Sequence, residues 1–194
     1  MGEIWEGTTI VCVRKGAEVV LACDGQITLG NQIMKNSANK LRVINVKNKD
    51  DVNIKVLLGF AGSTCDAISL YEELEEAIKE NSDNYDLEKI VVALTKKFRK
   101  EGFNKRQAMM IVADQKDTFL MDGSGNAIRP ENFSKDEVIH EVSAIGSGGS
   151  FALSAARALL DFTDLSAEKI AKEALTIASE ICIHTNSHIR VEKL

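Results

Sequence analysis

The apolar residues in the first third of the chain follow patterns that are typical of β-strands. Residues 8–13 are rich in β-branched side chains, residues 14–17 include a glycine, and residues 19–23 are again apolar. This arrangement predicts a β-hairpin. The run 54–60 is almost continuously apolar, which indicates a further strand that is buried on both faces.

Two segments in the middle of the chain carry apolar residues at helical spacing. The first helix is predicted to begin near Ser63, with Asp66 three residues later as a variant of the capping box, and the second to begin near Asp86. Their apolar stripes consist of Ala67, Leu70, Tyr71, Leu74 and Ile78 in the first helix, and of Leu87, Ile90, Val91, Leu94 and Phe98 in the second.

The second half of the chain repeats this order of strands followed by helices. Strands are predicted over 108–113, 118–121 and 138–145, helices over 150–160 and from Ser166 onward, and a last edge strand over 188–191. The predicted apolar face of the last helix comprises Ile170, Ala174, Ile177, Ala178, Ile181 and Cys182. Sheets covered on their outer faces by pairs of helices satisfy this order, so the pattern predicts a four-layer α/β sandwich of the αββα type.

Composition narrows the class of protein. The chain has 194 residues and a single proline, Pro130, so one domain is expected. Its 24 basic and 29 acidic residues give a net charge of −5, whereas proteins that bind nucleic-acid backbones usually carry a basic face. No apolar run reaches the roughly 18 residues of a membrane span, and the N-terminus lacks a secretory signal. We therefore expect neither nucleic-acid nor membrane binding.

The cysteines suggest no metal or disulfide framework. Cys12, Cys23, Cys65 and Cys182 are widely spaced and form no CxxC pair, so zinc-ligand spacing is absent. We interpret them as buried free thiols of a reducing compartment. A catalytic cysteine–histidine pair remains an alternative that the spacing does not favour.

The glycine-rich turn at 146–149 could carry chemistry. A strand that ends in Gly-Ser-Gly-Gly and opens a helix directs backbone N–H groups at one point, which suits an anion or an oxyanion. The nucleotide-binding motifs and the serine nucleophile elbow are both absent, so the turn taken alone is better explained by tight packing than by catalysis. Taken separately, Asp24 after the return strand is an ordinary turn residue, and Lys40, on a predicted strand, is an ordinary surface residue.

Six blocks of sequence change this interpretation when they are taken together. They are Gly-Thr-Thr-Ile-Val-x-Val-Arg at 7–14, Asp-Gly-Gln-x-Thr-Leu-Gly-Asn-x-x-Met-Lys at 24–35, Gly-Phe-Ala-Gly at 59–62, Ala-Ile-Gly-Ser-Gly-Gly at 144–149, Ala-Ala-Arg-Ala-Leu-Leu at 155–160 and Ile-Cys-Ile-x-Thr-Asn at 181–186. The chain thereby resembles the HslV (ClpQ) family of proteasome-like peptidases over nearly its whole length from Thr8. The resemblance implies the N-terminal-nucleophile hydrolase fold, which is a four-layer sandwich.

The resemblance also implies a mechanism. Residues 1–7 would be a leader, residues 8–194 the peptidase domain, and removal of the leader would leave Thr8 as nucleophile with its own α-amine as general base. Lys40 matches the family's active-site lysine, Asp24 the aspartate that holds it, and Ser147 a serine near the amine. The N–H of Gly62 is the expected oxyanion donor, with Gly59 as the alternative.

Partners and a cation follow from the same resemblance. Backbone carbonyls at Ser179, Cys182 and Thr185 match a site for a monovalent cation, commonly sodium, although an ordinary helix C-terminus explains these residues too. Two stacked hexameric rings, capped by the HslU ATPase, would degrade unfolded proteins. The chain itself carries no ATP-binding motif. The expected compartment is the bacterial cytoplasm, or a mitochondrion if the source is a protist.

Two departures and two other functions remain open. Cys23 stands before Asp24 where the family usually has glycine, and it would either crowd the lysine or face the core. Ser179 also replaces a usual glycine, which a carbonyl ligand would tolerate. The alternatives are a catalytically inactive ring subunit and a phosphate- or nucleotide-binding enzyme that uses the turn at 146–149.

Overall fold

The structure, a computed structural model, describes residues 5–6, 8–100, 106–135 and 137–194. The strands are β1 (Trp5–Glu6), β2 (Thr9–Lys15), β3 (Glu18–Cys23), β4 (Ile27–Leu29), β5 (Gln32–Lys35), β6 (Leu41–Lys47), β7 (Asn53–Gly62), β8 (Arg106–Ala113), β9 (Thr118–Gly123), β10 (Ala127–Ile128), β11 (Asn132–Lys135), β12 (Val138–Gly146) and β13 (Arg190–Lys193). The α-helices are α1 (Thr64–Glu80), α2 (Leu87–Lys100), α3 (Gly149–Phe162) and α4 (Ala167–Ile181), and a 3-10 helix spans Ser82–Asn84.

Two five-stranded antiparallel sheets form the centre of the molecule. Their strand orders are β10-β9-β8-β7-β6 and β11-β12-β2-β3-β13. Between the sheets lies a buried apolar layer consisting of Ile10, Cys12, Val19, Leu21, Cys23, Leu41, Leu57, Ala61, Ile111, Ala113 and Ile145. Helices α1 and α2 cover the outer face of the first sheet, and α3 and α4 cover that of the second. The predicted four-layer αββα sandwich is therefore confirmed.

The helices begin where the sequence predicts. The side chain of Ser63 caps α1 by accepting a hydrogen bond from the backbone N–H of Asp66. The predicted stripe of α1 is buried except for Tyr71, which is half-buried, and that of α2 is fully buried. Among the described residues, no helix is long and apolar enough to cross a membrane.

The predicted face of α4 is partly wrong. Ile177 is only half-buried and Ile181 is 56% exposed, whereas Ala171 and Leu175 are completely buried. The helix packs against α3 as well as against β2 and β3. Its buried arc is therefore centred on small residues that allow close approach to both neighbours, and in the last turn Ile181 faces solvent while Ala178 stays buried.

A small three-stranded sheet, β1-β4-β5, was missed by the sequence pattern. Of the predicted leader, only residues 5–6 are described, and they pair antiparallel with β4. The predicted leader boundary at Gly7 lies outside the described residues, so the division into 1–7 and 8–194 stays a prediction.

The guanidinium of Arg14 ties the two large sheets together. This side chain of β2 is only 6% exposed. It donates hydrogen bonds to the backbone carbonyls of Asp114 (2.9 Å) and Gln115 (2.8 Å), and to the hydroxyl of Thr118 (2.9 Å). Its Nε pairs with Glu141 at 3.2 Å. All polar atoms of this buried cation thus face acceptors, and the contacts with the β8–β9 connection cross from one sheet to the other.

Candidate active site

Five strands begin or end at one edge of the sandwich. In one sheet these are the start of β2 and the ends of β3 and β12, and in the other they are the start of β6 and the end of β7. Register pairs place Thr9 opposite Gly146, Ile10 opposite Cys23 and Leu41 opposite Gly59. Since antiparallel neighbours begin and end together, side chains from both sheets converge at this edge.

Asp24, immediately after β3, is the centre of the converging groups. It is completely buried, and its Oδ1 accepts hydrogen bonds from the backbone N–H of Thr9 (2.8 Å) and from Nζ of Lys40 (2.6 Å). Its Oδ2 accepts from the backbone N–H groups of Gln26 (2.9 Å) and Asn186 (3.3 Å). Four donors thus satisfy both oxygens of this buried carboxylate, and charge-assisted hydrogen bonds of this kind hold it in a fixed orientation.

Lys40 lies one residue before β6 instead of on a strand as predicted, and its side chain is buried rather than on the surface. It is 4% exposed, and burial lowers the pKa of its ammonium group below the ordinary value, while the carboxylate of Asp24 opposes that shift. The predicted pairing of Lys40 with Asp24 is present in the structure. Because Asp24 Oδ1 also binds the N–H of Thr9, the ammonium group lies beside the start of β2.

Thr8 directly precedes β2 and lies against the glycine-rich turn. Its carbonyl oxygen accepts a hydrogen bond of 2.9 Å from the backbone N–H of Ser147. Gly146 has a φ of +91°, and a Cβ atom at this position would overlap the carbonyl oxygen of Thr8. The turn therefore needs glycine for both its backbone conformation and its close approach to Thr8. The structure thus brings Thr8 and Ser147 together.

The two candidate oxyanion glycines occupy different environments. Gly62 is exposed at the last position of β7 and has a φ of +100°. Gly59 is buried within the same strand, where a Cβ atom would lie 2.6 Å from Cγ2 of Ile10. Packing between the sheets accounts for glycine at 59. Gly62 as donor stays a prediction, and its exposure at the site's edge is compatible with it.

Cys23 faces the layer between the sheets. The side chain is fully buried, and burial raises the pKa of its thiol. The 2.6 Å contact between Lys40 and Asp24 is present beside it, so the thiol does not displace the lysine. Of the two outcomes considered for this departure, the structure has the cysteine facing the core. Cys12 and Cys182 are also buried, but Cys65 is exposed at the start of α1, contrary to prediction, because its position lies off the buried stripe of that helix.

The predicted cation-binding segment follows the end of α4. The N–H of Cys182 donates to the carbonyl of Ala178, and the N–H of Thr185 donates to the carbonyl of Cys182. Ser179 is among the last four helical residues, whose carbonyls have no partner within the helix. The described residues contain no cluster of three His, Cys, Asp or Glu side chains that could hold a metal. The cation site at Ser179, Cys182 and Thr185 stays a prediction.

Sequence reasoning missed two kinds of site residue. The backbone N–H groups of Gln26 and Asn186 hold Asp24, and Thr9 has a buried hydroxyl that contacts the glycine-rich turn. The only available signal was the position of each residue within a family-like block. Neither residue type nor spacing identifies a backbone donor.

Comparisons with known proteins identify the family. A family model described as "Proteasome subunit" matches residues 4–194. The ATP-dependent protease subunit HslV of Rickettsia felis is 43% identical over 190 residues, covering 97% of this chain and 95% of the relative. The corresponding subunit of Caldicellulosiruptor saccharolyticus is 45% identical over 193 residues, covering 98% and 100%. The crystal structure of HslV from Trypanosoma brucei superposes with a TM-score of 0.80 at 45% identity, covering 96% of this chain and 98% of that one. The chain therefore belongs to the proteasome family, and within it to the HslV subunits.

Proposed function

We propose that this chain is the peptidase subunit of an ATP-dependent protease, with Thr8 as its nucleophile. The observation that carries the proposal is the shared oxygen of Asp24, which binds both Lys40 and the backbone N–H next to Thr8. A buried cation is thereby held beside the residue whose amine and hydroxyl would react. In an inactive subunit nothing would require this buried charge pair, which is costly to desolvate.

The chemistry requires a free α-amine on Thr8, and hence cleavage of the bond between Gly7 and Thr8. An α-amino group titrates at about 7.7–8.0, so near neutral pH it can accept a proton. The positive charge of Lys40 beside it would favour the neutral form of that amine. As Oγ of Thr8 attacks the peptide carbonyl, its proton passes to the amine and then to the leaving nitrogen as the C–N bond breaks. Water then hydrolyses the resulting ester.

A donor for the transient oxyanion completes this scheme. The N–H of Gly62 is proposed for that role, since the residue is exposed at the end of β7. Removal of one such donor typically slows turnover by about 10²–10³-fold. Ser147 is proposed to form a hydrogen bond near the amine of Thr8. This role is supported by the hydrogen bond from its backbone N–H to the carbonyl oxygen of Thr8.

We also propose a monovalent cation, such as sodium, at the end of α4. The backbone carbonyls of Ser179, Cys182 and Thr185 would hold it. Oxygen ligands suit a hard cation, and the C-terminal end of a helix carries partial negative charge. When bound, the ion would neutralise these carbonyls and stiffen the turn that they form.

The proposed assembly and compartment rest on membership of the HslV subunits. We propose that two hexameric rings stack into a chamber for unfolded proteins and that HslU supplies ATP hydrolysis. The proposed compartment is the bacterial cytoplasm, or a mitochondrion if the source is a protist. Support comes from the 43–45% identity to HslV subunits over nearly the whole chain.

The test compares the wild type with Thr8→Ala. Intact mass defines the N-terminus of each purified protein, and hydrolysis of a fluorogenic peptide is measured with and without HslU and ATP. We expect chains that begin at Thr8, hydrolysis that rises with HslU, and no hydrolysis by Thr8→Ala in rings of unchanged size. Hydrolysis by Thr8→Ala at the wild-type rate would refute the mechanism. A chain that begins at Thr8 and remains inert with HslU would identify an inactive subunit.

A further inference from the structure

We propose that Thr9 is a positioning residue of this peptidase and that Thr185 is its partner. In this arrangement a bridge between two buried hydroxyls joins the strand of the nucleophile to the turn after α4. The inference rests on the proposed function, because Thr9 acts by fixing the position of Thr8. It gives a role to the side chains of Thr9 and Thr185. Both act through other residues and not on the substrate itself.

Thr9 is held by all three of its polar groups. Its N–H donates to Oδ1 of Asp24 (2.8 Å), and its carbonyl accepts from the N–H of Asp24 (3.1 Å). Its hydroxyl accepts from the N–H of Gly148 (3.0 Å) and lies 2.7 Å from the hydroxyl of Thr185. One residue therefore connects the aspartate that holds Lys40, the glycine-rich turn and the turn after α4. Since Thr8 is the preceding residue, these bonds determine where its amine and hydroxyl lie.

The hydrogen bond between the hydroxyls of Thr9 and Thr185 is shielded from water, because both side chains are buried. Thr9 is 0% exposed and Thr185 is 4% exposed. A buried hydroxyl without a partner is costly, so the two side chains satisfy each other. A Cβ atom at Gly148 would lie 2.5 Å from both hydroxyl oxygens. Glycine at 148 thus leaves the space in which the two hydroxyls meet.

The turn after α4 is tied to the site at a second point. The N–H of Asn186 donates to Oδ2 of Asp24, and its side-chain Oδ1 accepts from the N–H of Gly25 (3.0 Å). A shift of this turn would therefore be transmitted to Thr9 through Thr185 and to Lys40 through Asp24. The proposed cation segment at 179–185 and the nucleophile form one connected unit.

The experiment removes the hydroxyl while keeping the shape of the side chain. Thr9→Val, Thr185→Val and the double variant are compared with Thr9→Ser, which keeps the hydroxyl. Thr95→Val is the matched control, because Thr95 is also 4% exposed and its hydroxyl donates to the carbonyl of Val92 within α2, on the other sheet. Intact mass gives the fraction of chains that begin at Thr8, and kcat and KM for a fluorogenic peptide are measured with HslU and ATP per such chain. Melting temperatures are recorded in parallel.

We expect Thr9→Val to lower kcat by about 10- to 100-fold with KM unchanged within about twofold, since small displacements of a nucleophile have effects of this size. Thr9→Ser should recover most of the loss. The double variant should lose no more than the worse single variant, because the two hydroxyls form one interaction. Thr95→Val should keep the wild-type kcat even if its melting temperature falls.

Three results would overturn the proposal while leaving the proposed function intact. They are a wild-type kcat for Thr9→Val, a loss that Thr9→Ser does not recover, and losses that multiply in the double variant. Wild-type activity of Thr8→Ala would instead refute the proposed function itself. The two failures are therefore distinguishable in the same assay.

Discussion

Replacing Asp24 by asparagine tests the electrostatics of the site directly. Asp24→Asn keeps the shape of the side chain but removes the negative charge beside Lys40, which is 4% exposed. Removal of one partner from a buried ion pair typically costs about 3–5 kcal/mol. A value toward the upper end is expected, because Oδ1 and Oδ2 also bind three backbone N–H groups and the amide of asparagine turns a donor toward some of them.

The cost should depend on pH in a defined direction. In the wild type burial lowers the pKa of Lys40 and Asp24 raises it. In the variant the raising contribution is lost, so the pKa of folded Lys40 falls further below that of the unfolded chain. Between those two pKa values the unfolded state binds more protons, and the stability of the variant therefore rises with pH by at most about 1.4 kcal/mol per unit. Its deficit relative to the wild type should shrink as the pH rises from the pKa of Lys40 in the folded variant toward the higher pKa of Lys40 in the folded wild type.

Urea denaturation at fixed protein concentration measures both effects, since assembly contributes to apparent stability. Asp51→Asn is the matched control, because Lys47 and Asp51 form an ion pair with the same 2.6 Å distance but are 57% and 80% exposed. We expect the control to change stability by less than about 1 kcal/mol at every pH. An Asp24→Asn protein as stable as the wild type, or one whose deficit grows with pH, would refute the reasoning.

Two further predictions concern the glycine-rich turn and the thiols. Gly146→Ala should lower the free energy of unfolding by about 3 kcal/mol and reduce peptide hydrolysis, because its φ is positive and the new Cβ would overlap Thr8. Gly30→Ala, with a positive φ but open space, should cost about 1 kcal/mol, and equal effects in denaturation would contradict the steric argument. With a thiol-reactive dye, exposed Cys65 should react in the native chain, whereas Cys12 should react only after unfolding, because burial raises its pKa to about 12. Native labelling of Cys12 at the rate of Cys65, located by peptide mapping, would show that this prediction is wrong.

The order of layers could be predicted from sequence because most strands and helices bury one continuous face of apolar side chains, which leaves a periodic pattern in the sequence. The helix α1 is an example, since its cap at Ser63 and its apolar stripe are local features. The strands β4 and β5 have three and four residues, and every residue of β5 is exposed. Strands this short have too few residues to show the period-2 alternation by which a strand is predicted.

The candidate site could be predicted only through family-like blocks. Hydrophobic periodicity places Lys40 near a strand but says nothing about its partner, and a lysine is usually exposed. The burial of Lys40 depends on its ion pair with Asp24, which follows a strand of the other five-stranded sheet. The contact between Thr9 and Thr185 joins residues 176 positions apart, so no local pattern could indicate it.

The Arg14 contacts have a mechanical consequence for catalysis. Apolar layers resist separation, but they resist sliding past each other less well, because such packing is not directional. Asp24 and Lys40 approach the site from opposite sheets, so a lateral shear of even a few ångström would break their contact. Arg14 lies six residues along β2 from Thr8, about 20 Å away, and its directional bonds link the second sheet to the β8–β9 connection of the first. The two sheets are thus joined by polar contacts at both ends of the sandwich. The Arg14 contacts, which are remote from the nucleophile, preserve the alignment of the ion pair between Asp24 and Lys40.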